Sequence, residues 1–225
     1  MAGKIFAIGG MYDPEAGQRL FGRFVSLTGK DRPVVAYLGT ASGDRYSGME
    51  AFLWLSYRAG AVPIVVPLFQ RTPDLREVFG DVDAVFVGGG NTYSMLAVWR
   101  AYGLDRILRD LYERGVPLGG VSAGAICWFE YALTDSWADR LEVIEGLGFV
   151  KGGAVPHYSL EKDRRPYTHR YILEGRMPFA YAIEDGVGVL FVDGKPSEVY
   201  AAVNGGRAYI VQKGDDEVVE KSLTI

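Results

Sequence analysis

The stretch PLGGVSAGAICWFEYAL, residues 117–133, changes character abruptly at Ser122. Before the serine the chain reads as a short buried strand, and behind it runs an almost wholly apolar segment that we interpret as a helix. Small residues surround the serine on both sides, among them Gly120 and Gly124. A buried strand that runs into a buried helix has no structural need of a hydroxyl group at the corner, so Ser122 calls for a chemical explanation.

Short β-branched runs and helix-length segments alternate around this stretch. Five runs are typical of strands buried on both faces: KIFAIGG (4–10), PVVAYLG (33–39), AVPIVVP (61–67), DAVFVGGG (83–90) and VPLGGVS (116–122). Apolar residues at helical spacing predict helices over 17–29, 48–60 and 92–115. This βαβ order predicts an α/β fold, a three-layer αβα sandwich with a mainly parallel sheet.

The last part of the chain follows a different pattern. Residues 181–213 contain short apolar runs separated by Asp-Gly and Asn-Gly pairs, which are typical of antiparallel hairpins. We therefore expect antiparallel hairpins near the C-terminus, extending one edge of the sheet. No linker or repeat divides the sequence, so we expect a single domain over 1–225.

Composition excludes several classes of function. The chain has 225 residues, 48% of them apolar and 23% charged, and a net charge of −4. No basic patch suits nucleic acid, no apolar run has the length of a membrane span, and the N-terminus does not resemble a signal peptide. With one cysteine and two histidines, we expect a cytoplasmic protein without a disulfide, metal or cofactor. The sequence leaves open whether the chain forms a homodimer.

Residues 120–124 match the G-x-S-x-G pattern of a nucleophile elbow. A sharp turn between strand and helix pushes the serine hydroxyl outward, and glycines two positions either side avoid a collision. The amide of Ala123, at the start of the helix, would then be one donor to a developing oxyanion. The alternative is a tight turn in which Ser122 only caps the helix.

A second donor to the oxyanion is expected from Gly88, Gly89 and Gly90, which follow the fourth predicted strand. Glycine lets backbone amides approach a substrate closely, and the carboxyl ends of parallel strands meet at one edge of a sheet. Phosphate-binding loops and ordinary turns use the same residues, but this loop lacks the Gly-Lys-Ser/Thr of a phosphate-binding loop.

A serine nucleophile needs a base, and the sequence offers only His157 and His169. His157 follows a short apolar run at the expected end of a strand, whereas His169 lies in a charged segment typical of a surface helix. We therefore predict His157 as the base, the alternative being a hydrogen-bonded histidine of the core.

A carboxylate is expected to orient the base through its other ring nitrogen. Asp185 ends another predicted strand just before a glycine turn, and Asp135 follows the predicted elbow helix. We predict Asp185 as the carboxylate that orients the base, with Asp135 as the alternative. Each has a purely structural alternative, a turn for Asp185 and a cap for Asp135.

Taken together, VGGGNTY, GGVSAGAICWFEYALTDSW, VPHYS and IEDGVGV resemble, in the same order, motifs of the peptidase E family of serine peptidases. That family is related in fold to cyanophycinase and to class I glutamine amidotransferase domains. The resemblance implies Ser122 as nucleophile, His157 as base, and Asp185 or Asp135 as the acid. It also implies an oxyanion hole at Gly88 to Gly90 and Ala123.

The same resemblance implies the substrate class. It indicates a serine-type dipeptidase acting on short peptides, with N-terminal aspartate preferred in members that hold its side chain with a basic residue. Arg170 lies in the corresponding region of this chain. Two alternatives remain, an amidase or glutaminase-like hydrolase and a non-catalytic peptide-binding homologue.

Overall fold

Five parallel strands make up most of a seven-stranded sheet in the computed structural model, which describes residues 1–215 and 217–224. They are β1 (Lys4–Ile8), β2 (Val34–Leu38), β3 (Val62–Val65), β4 (Ala84–Val87) and β5 (Leu118–Val121), in the spatial order β1-β5-β4-β2-β3. Beyond β1 the sheet continues with the antiparallel strands β10 (Val187–Val192) and β11 (Lys195–Ala201). Because the parallel strands end at one edge, the loops after β1, β4 and β5 lie side by side.

Helices cover both faces of this sheet. They are α1 (Pro14–Ser26), α2 (Tyr46–Arg58), α3 (Leu75–Val78), α4 (Thr92–Tyr102), α5 (Leu104–Glu113), α6 (Ala123–Ile126) and α7 (Arg164–Leu173). None of the helices within the described residues is long and apolar enough to cross a bilayer. The arrangement confirms the predicted α/β fold.

Alternation along the strands explains why two helix layers are needed. In β1, Phe6 and Ile8 pack in a cluster with residues of α1 and α2, whereas Ile5 and Ala7 pack in a cluster with residues of α4 and α5. All four side chains are fully buried. A strand with apolar residues on both faces is stable only where both faces are covered.

A second sheet carries the remaining strands. It consists of β6 (Phe129–Thr134), β7 (Glu142–Glu145), β8 (Val150–Val155), β9 (Phe179–Ile183), β12 (Ala208–Lys213) and β13 (Val218–Ser222), in the order β13-β12-β9-β8-β6-β7. Strands β6, β8 and β9 are parallel, and the outer pairings are antiparallel. Phe129 and Ala132 of β6 join the same core cluster as α4 and α5, so this sheet closes one side of the molecule.

Three details of the predicted elements were wrong. The helix behind Ser122 is a single turn, α6, and the apolar run that follows it is strand β6. The predicted helix over 92–115 is two helices separated by Gly103, whose φ of +69° ends α4. Only the first C-terminal hairpin, β10 and β11, extends one edge of the first sheet, because β12 and β13 join the second sheet.

Candidate active site

Ser122 occupies the sharp turn between β5 and α6. Its φ of +55° and ψ of −114° lie outside the regions that side chains favour. The turn is held by hydrogen bonds on both sides: the Ser122 amide donates to the carbonyl of Ile8 in β1, and its carbonyl accepts from the amides of Ala125 and Ile126. Backbone strain of this kind concentrates at functional sites.

The glycines around the turn are required by close backbone contacts. A Cβ on Gly120 would lie 2.6 Å from the carbonyl oxygen of Gly124, and one on Gly124 would lie 2.8 Å from the Cβ of Val87. Real Cβ atoms do not approach other atoms this closely. The G-x-S-x-G pattern is therefore explained by packing of the elbow against β4.

His157 lies in the loop after β8 and faces Ser122. Its Nε2 is 2.9 Å from Ser122 Oγ, and its Nδ1 is 2.7 Å from Asp185 Oδ1. The imidazole is buried, and its backbone φ is +53°. With Nδ1–H donating to the carboxylate, Nε2 is left free to accept the serine proton.

Asp185 lies in the turn between β9 and β10, and Gly10 makes room for its side chain. A Cβ on Gly10 would overlap Asp185 Oδ1 and lie 2.8 Å from His157 Nδ1. The Gly186 amide donates to the Gly10 carbonyl at 2.9 Å, which ties this turn to the end of β1. The neighbouring Glu184 points away from the imidazole and accepts hydrogen bonds from the Arg207 amide and the Tyr209 hydroxyl.

Of the two predicted acids, only Asp185 is brought to the imidazole. Asp135 is exposed in the loop after β6, and within the described residues it forms no hydrogen bond to His157. The second oxygen of Asp185, Oδ2, is buried without a partner among the described residues. His169 is also remote from Ser122, because its Nε2 pairs with Glu220 at 2.6 Å.

The glycine loop after β4 lies against the serine. A Cβ on Gly89 would be 3.4 Å from Ser122 Cβ and 3.9 Å from its Oγ. The Gly88 amide is already used, since it donates to the Leu38 carbonyl at 3.0 Å and extends the sheet. The described hydrogen bonds include none from the amides of Gly89, Gly90 or Ala123. Gly89 and Ala123 therefore offer free donors beside Oγ, whereas Gly88 does not.

Arg170 does not reach this cluster. It lies on α7 with 60% of its side chain exposed, and its Nε donates to Glu174 at 2.7 Å. The arginine at the start of the same helix, Arg164, is buried and pairs with Glu161 at 2.7 Å, while its Nη1 donates to the Leu133 carbonyl.

Sequence reasoning missed Tyr12, which follows the first strand and covers His157. The two ring centroids are 5.4 Å apart, and the tyrosine is 66% exposed. Burial raises the pKa of Tyr12, the charges of Asp185 and Glu161 raise it further, and Arg164 lowers it. The paired glycines before it, Gly9 and Gly10, were the available signal, because they mark a strand end at the edge where the other loops meet.

Two other reactive groups do not contribute to this site. Cys127 is fully buried, and burial raises the pKa of its thiol well above the ordinary value, so it is not an activated nucleophile. Within the described residues, no group of three or more histidine, cysteine, aspartate or glutamate side chains is arranged to hold a metal ion. The side chains joined to Ser122 by hydrogen bonds are thus His157 directly and Asp185 through it.

Comparison with known proteins identifies related chains. The model of peptidase family S51 matches residues 5–199. The uncharacterized peptidase YgaJ of Bacillus subtilis is 37% identical over 197 residues, which cover 87% of this chain and 85% of that protein. Peptidase E of Shewanella amazonensis is 42% identical over 83 residues, covering 37% of this chain and 34% of the relative. A crystal structure of a peptidase from an acI-B1 actinobacterium superposes with a TM-score of 0.75 at 16% identity, covering 100% of this chain and 95% of that one.

Proposed function

The chain belongs to peptidase family S51, and on that premise we propose that it is a serine-type peptidase hydrolysing dipeptides or short peptides. One observation carries the proposal: Ser122, His157 and Asp185 form a continuous chain of hydrogen bonds of 2.9 and 2.7 Å. A nucleophile, a base and an orienting carboxylate in this order are the parts that acyl transfer requires.

In the proposed mechanism, His157 takes the Ser122 proton as Oγ attacks the peptide carbonyl. The amides of Ala123 and Gly89 donate to the oxyanion of the tetrahedral intermediate, and His157 then protonates the leaving amine. Water completes the second half through the same base. Asp185 keeps Nδ1 protonated and stabilises the imidazolium that forms in each half.

The N-terminal aspartate preference of some peptidase E members is a finer hypothesis. It would need a cation free to bind a side-chain carboxylate. Arg170 is exposed and paired with Glu174, and Arg164 is paired with Glu161, so each would first have to leave an acidic partner. We therefore propose peptide hydrolysis without assigning an aspartate preference to either arginine.

A panel of dipeptides, Asp-X included, tests this function by the release of free amino acids. We expect wild-type turnover, and in Ser122→Ala a loss on the order of 10⁶ in kcat, as for other serine peptidases. Circular dichroism would check that the variant is folded. A folded wild type without turnover on any member of the panel, or a Ser122→Ala protein with unchanged turnover, would contradict the proposal.

A further inference from the structure

A cavity of 450 Å³ opens beside the nucleophile, on the face of the sheet that α1 and α2 cover. Its wall includes Gly88 and Gly89 of the loop after β4, and Val121, the residue before Ser122. Because Gly89 lies against Ser122, this part of the cavity wall is next to the reaction centre. The volume is in the range of about 300–1,000 Å³ that is usual for small-ligand sites.

Most of the cavity wall is apolar. Met11, Phe52, Trp54, Leu55 and Phe86 line it. Phe52 and Phe86 are buried in the core, whereas Trp54 is 49% exposed and offers an aromatic surface to an occupant. Burying a large apolar side chain against such a wall is favourable, and a charged one would lose its hydration there.

One end of the cavity is polar and positive. Arg45 is the one charged residue in the part of the wall that the structure describes, and it directly precedes α2. It is exposed and makes no ion pair with any other described residue. Its neighbour Asp44 is held by the amides of Leu68 and Phe69, which donate hydrogen bonds to its Oδ2. Besides burial, the charge of Asp44 raises the pKa of Tyr37.

Tyr37 adds a hydroxyl donor to the cavity wall. The residue is 4% exposed, lines the cavity, and makes no side-chain hydrogen bond among the described residues. Its hydroxyl lies 2.8 Å from the position of a Cβ on Gly48, in the first turn of α2. Burial raises the pKa of Tyr37 to about 12, so the hydroxyl stays a donor at neutral pH. A hydroxyl and a guanidinium that both line the cavity, without a side-chain partner among the described residues, suit a carboxylate.

Building on the peptidase function proposed above, we propose that this cavity binds the C-terminal residue of a dipeptide substrate. The large apolar side chain of that residue packs against Phe52, Trp54 and Leu55. Its free α-carboxylate is bound by Arg45 and the Tyr37 hydroxyl. The cavity thereby selects dipeptides that end in a residue such as leucine or phenylalanine.

Paired dipeptides test the selection. We expect kcat/KM for Ala-Leu and Ala-Phe to exceed that for Ala-Gly and Ala-Asp by about 10- to 100-fold, the usual discrimination of an apolar pocket. Ala-Leu amide, which lacks the carboxylate, should be at least about tenfold poorer than Ala-Leu. Equal rates for Ala-Leu and Ala-Gly, or a stronger preference for Leu-Ala than for Ala-Leu, would overturn the proposal.

Two variants with matched controls test the residues. Ala51→Trp fills the cavity from the exposed face of α2 and should reduce the preference for Ala-Phe over Ala-Gly, whereas Leu53→Trp, on the same helix but outside the cavity, should not. Arg45→Gln should raise KM for Ala-Leu about tenfold and leave the amide unchanged. The exposed Arg32→Gln is its control. Equal effects of a variant and its control would contradict the assignment.

A measurement of dipeptide binding distinguishes failure of the cavity assignment from failure of the peptidase function. Calorimetry of Ala-Leu with the Ser122→Ala protein should show binding that Arg45→Gln weakens. If the wild type hydrolyses no dipeptide but this binding is found, the cavity assignment stands and the peptidase function fails. If dipeptides are hydrolysed through Ser122 without any C-terminal preference, the function stands and the cavity assignment fails.

Discussion

At the scale of single residues, strain and small side chains hold the reactive groups together. Ser122 and His157 both have positive φ, at +55° and +53°, and are two of four non-glycine residues that do so within residues 1–215 and 217–224. Such conformations persist only where the surroundings enforce them. Here backbone hydrogen bonds hold Ser122 in place. The lack of a side chain at Gly10 leaves room for Asp185 and His157.

Replacing the orienting carboxylate should distinguish the two candidate acids. Asp185→Asn removes the charge that would fix the imidazole tautomer, and we expect kcat to fall by about 10⁴-fold, the loss that this change causes in a Ser-His-Asp triad. Asp135→Asn is the matched control and should leave kcat within about twofold, because an exposed carboxylate without contact to His157 does not act in the transition state. A large loss in Asp135→Asn together with a small one in Asp185→Asn would reverse the assignment.

Gly10 should be intolerant of even a methyl group. In Gly10→Ala the added Cβ would overlap the Asp185 carboxylate and crowd His157, so we expect kcat to fall at least about 100-fold through misplacement of the base. Gly22→Ala in α1, where a Cβ meets nothing within 4 Å, should keep activity and gain about 0.5–1 kcal/mol in the free energy of unfolding. Peptidase assays and urea unfolding of both variants measure the two effects. Full activity in Gly10→Ala would show that the Asp185–His157 contact is dispensable.

Much of the site could be predicted from the sequence because its residues lie in short motifs that are recognisable without knowledge of the fold. The elbow around Ser122 is local, and the scarcity of histidine narrowed the base to His157 or His169. Tyr12 could not be related to His157, because their contact joins the ends of β1 and β8, which lie in different sheets. The sequence also could not show that the Gly88 amide donates to the sheet, because this hydrogen bond depends on the register of β4 with β2.

At the scale of elements, one glycine divides the helical segment that follows the glycine loop after β4 into two helices. Gly103 adopts φ +69° and ψ +15°, donates to Arg100 at 3.2 Å, and serves as the end of α4 and the start of α5. Helices commonly end on a glycine in this conformation. The apolar periodicity continues through the break, which is why a single helix was predicted over 92–115.

Substitution at Gly103 should act on stability through the backbone alone, since a Cβ there meets nothing within 4 Å. We expect Gly103→Ala to lower the free energy of unfolding by about 1–2 kcal/mol, the usual cost of a left-handed conformation. Gly103→Asn should lose less, because asparagine tolerates that conformation better than alanine does. Urea unfolding of the two variants gives the comparison, and an alanine variant as stable as the wild type would argue against the observed helix break.

The apolar run behind the elbow shows that hydrophobic periodicity does not always distinguish a helix from a strand. A short apolar run without a charge pattern is equally compatible with a buried helix and a buried strand. Residues 129–133 form most of β6 because β7 and β8 pair with them on both sides, and those partners lie later in the chain. The aromatic residues Phe129 and Tyr131 were the local signal for a strand.

At the scale of the whole molecule, the site is assembled across two sheets. Ser122 follows β5 of the first sheet and His157 follows β8 of the second. Asp185 lies between β9 of the second sheet and β10 of the first, where the chain crosses from one to the other. The sequence predicted the five parallel strands of the first sheet, but neither β6 nor the division of the strands between two sheets, because both depend on long-range pairing. Activity therefore depends on docking of the two sheets.

The free energy of unfolding should depend on pH through Glu142 of β7, which pairs with Arg140 and Arg176. Hydrogen bonds from Arg140, at 2.7 Å, and from Arg176, at 2.8 Å, lower the pKa of Glu142 below its ordinary 4.5. A carboxyl whose pKa is lower in the folded state stabilises the protein above its unfolded pKa, and that stabilisation is lost as the pH falls through the folded value.

We therefore expect Glu142→Gln to reduce the free energy of unfolding at pH 7 by roughly 0.2–1 kcal/mol, with a difference from wild type that shrinks as the pH falls below 4.5. Glu145→Gln, an exposed position of the same strand, is the matched control. Urea unfolding from pH 7 down to pH 3.5 measures both, and a difference that widened toward acid would have the wrong sign.

The central claim is that Ser122 is acylated in turnover. The most direct test is mass spectrometry of the protein quenched during reaction with an aminoacyl p-nitrophenyl ester, followed by mapping of the adduct. We predict one acyl group on the peptide that contains Ser122, and none in Ser122→Ala. Hydrolysis that proceeds without an adduct, or an adduct that persists in Ser122→Ala, would contradict the account.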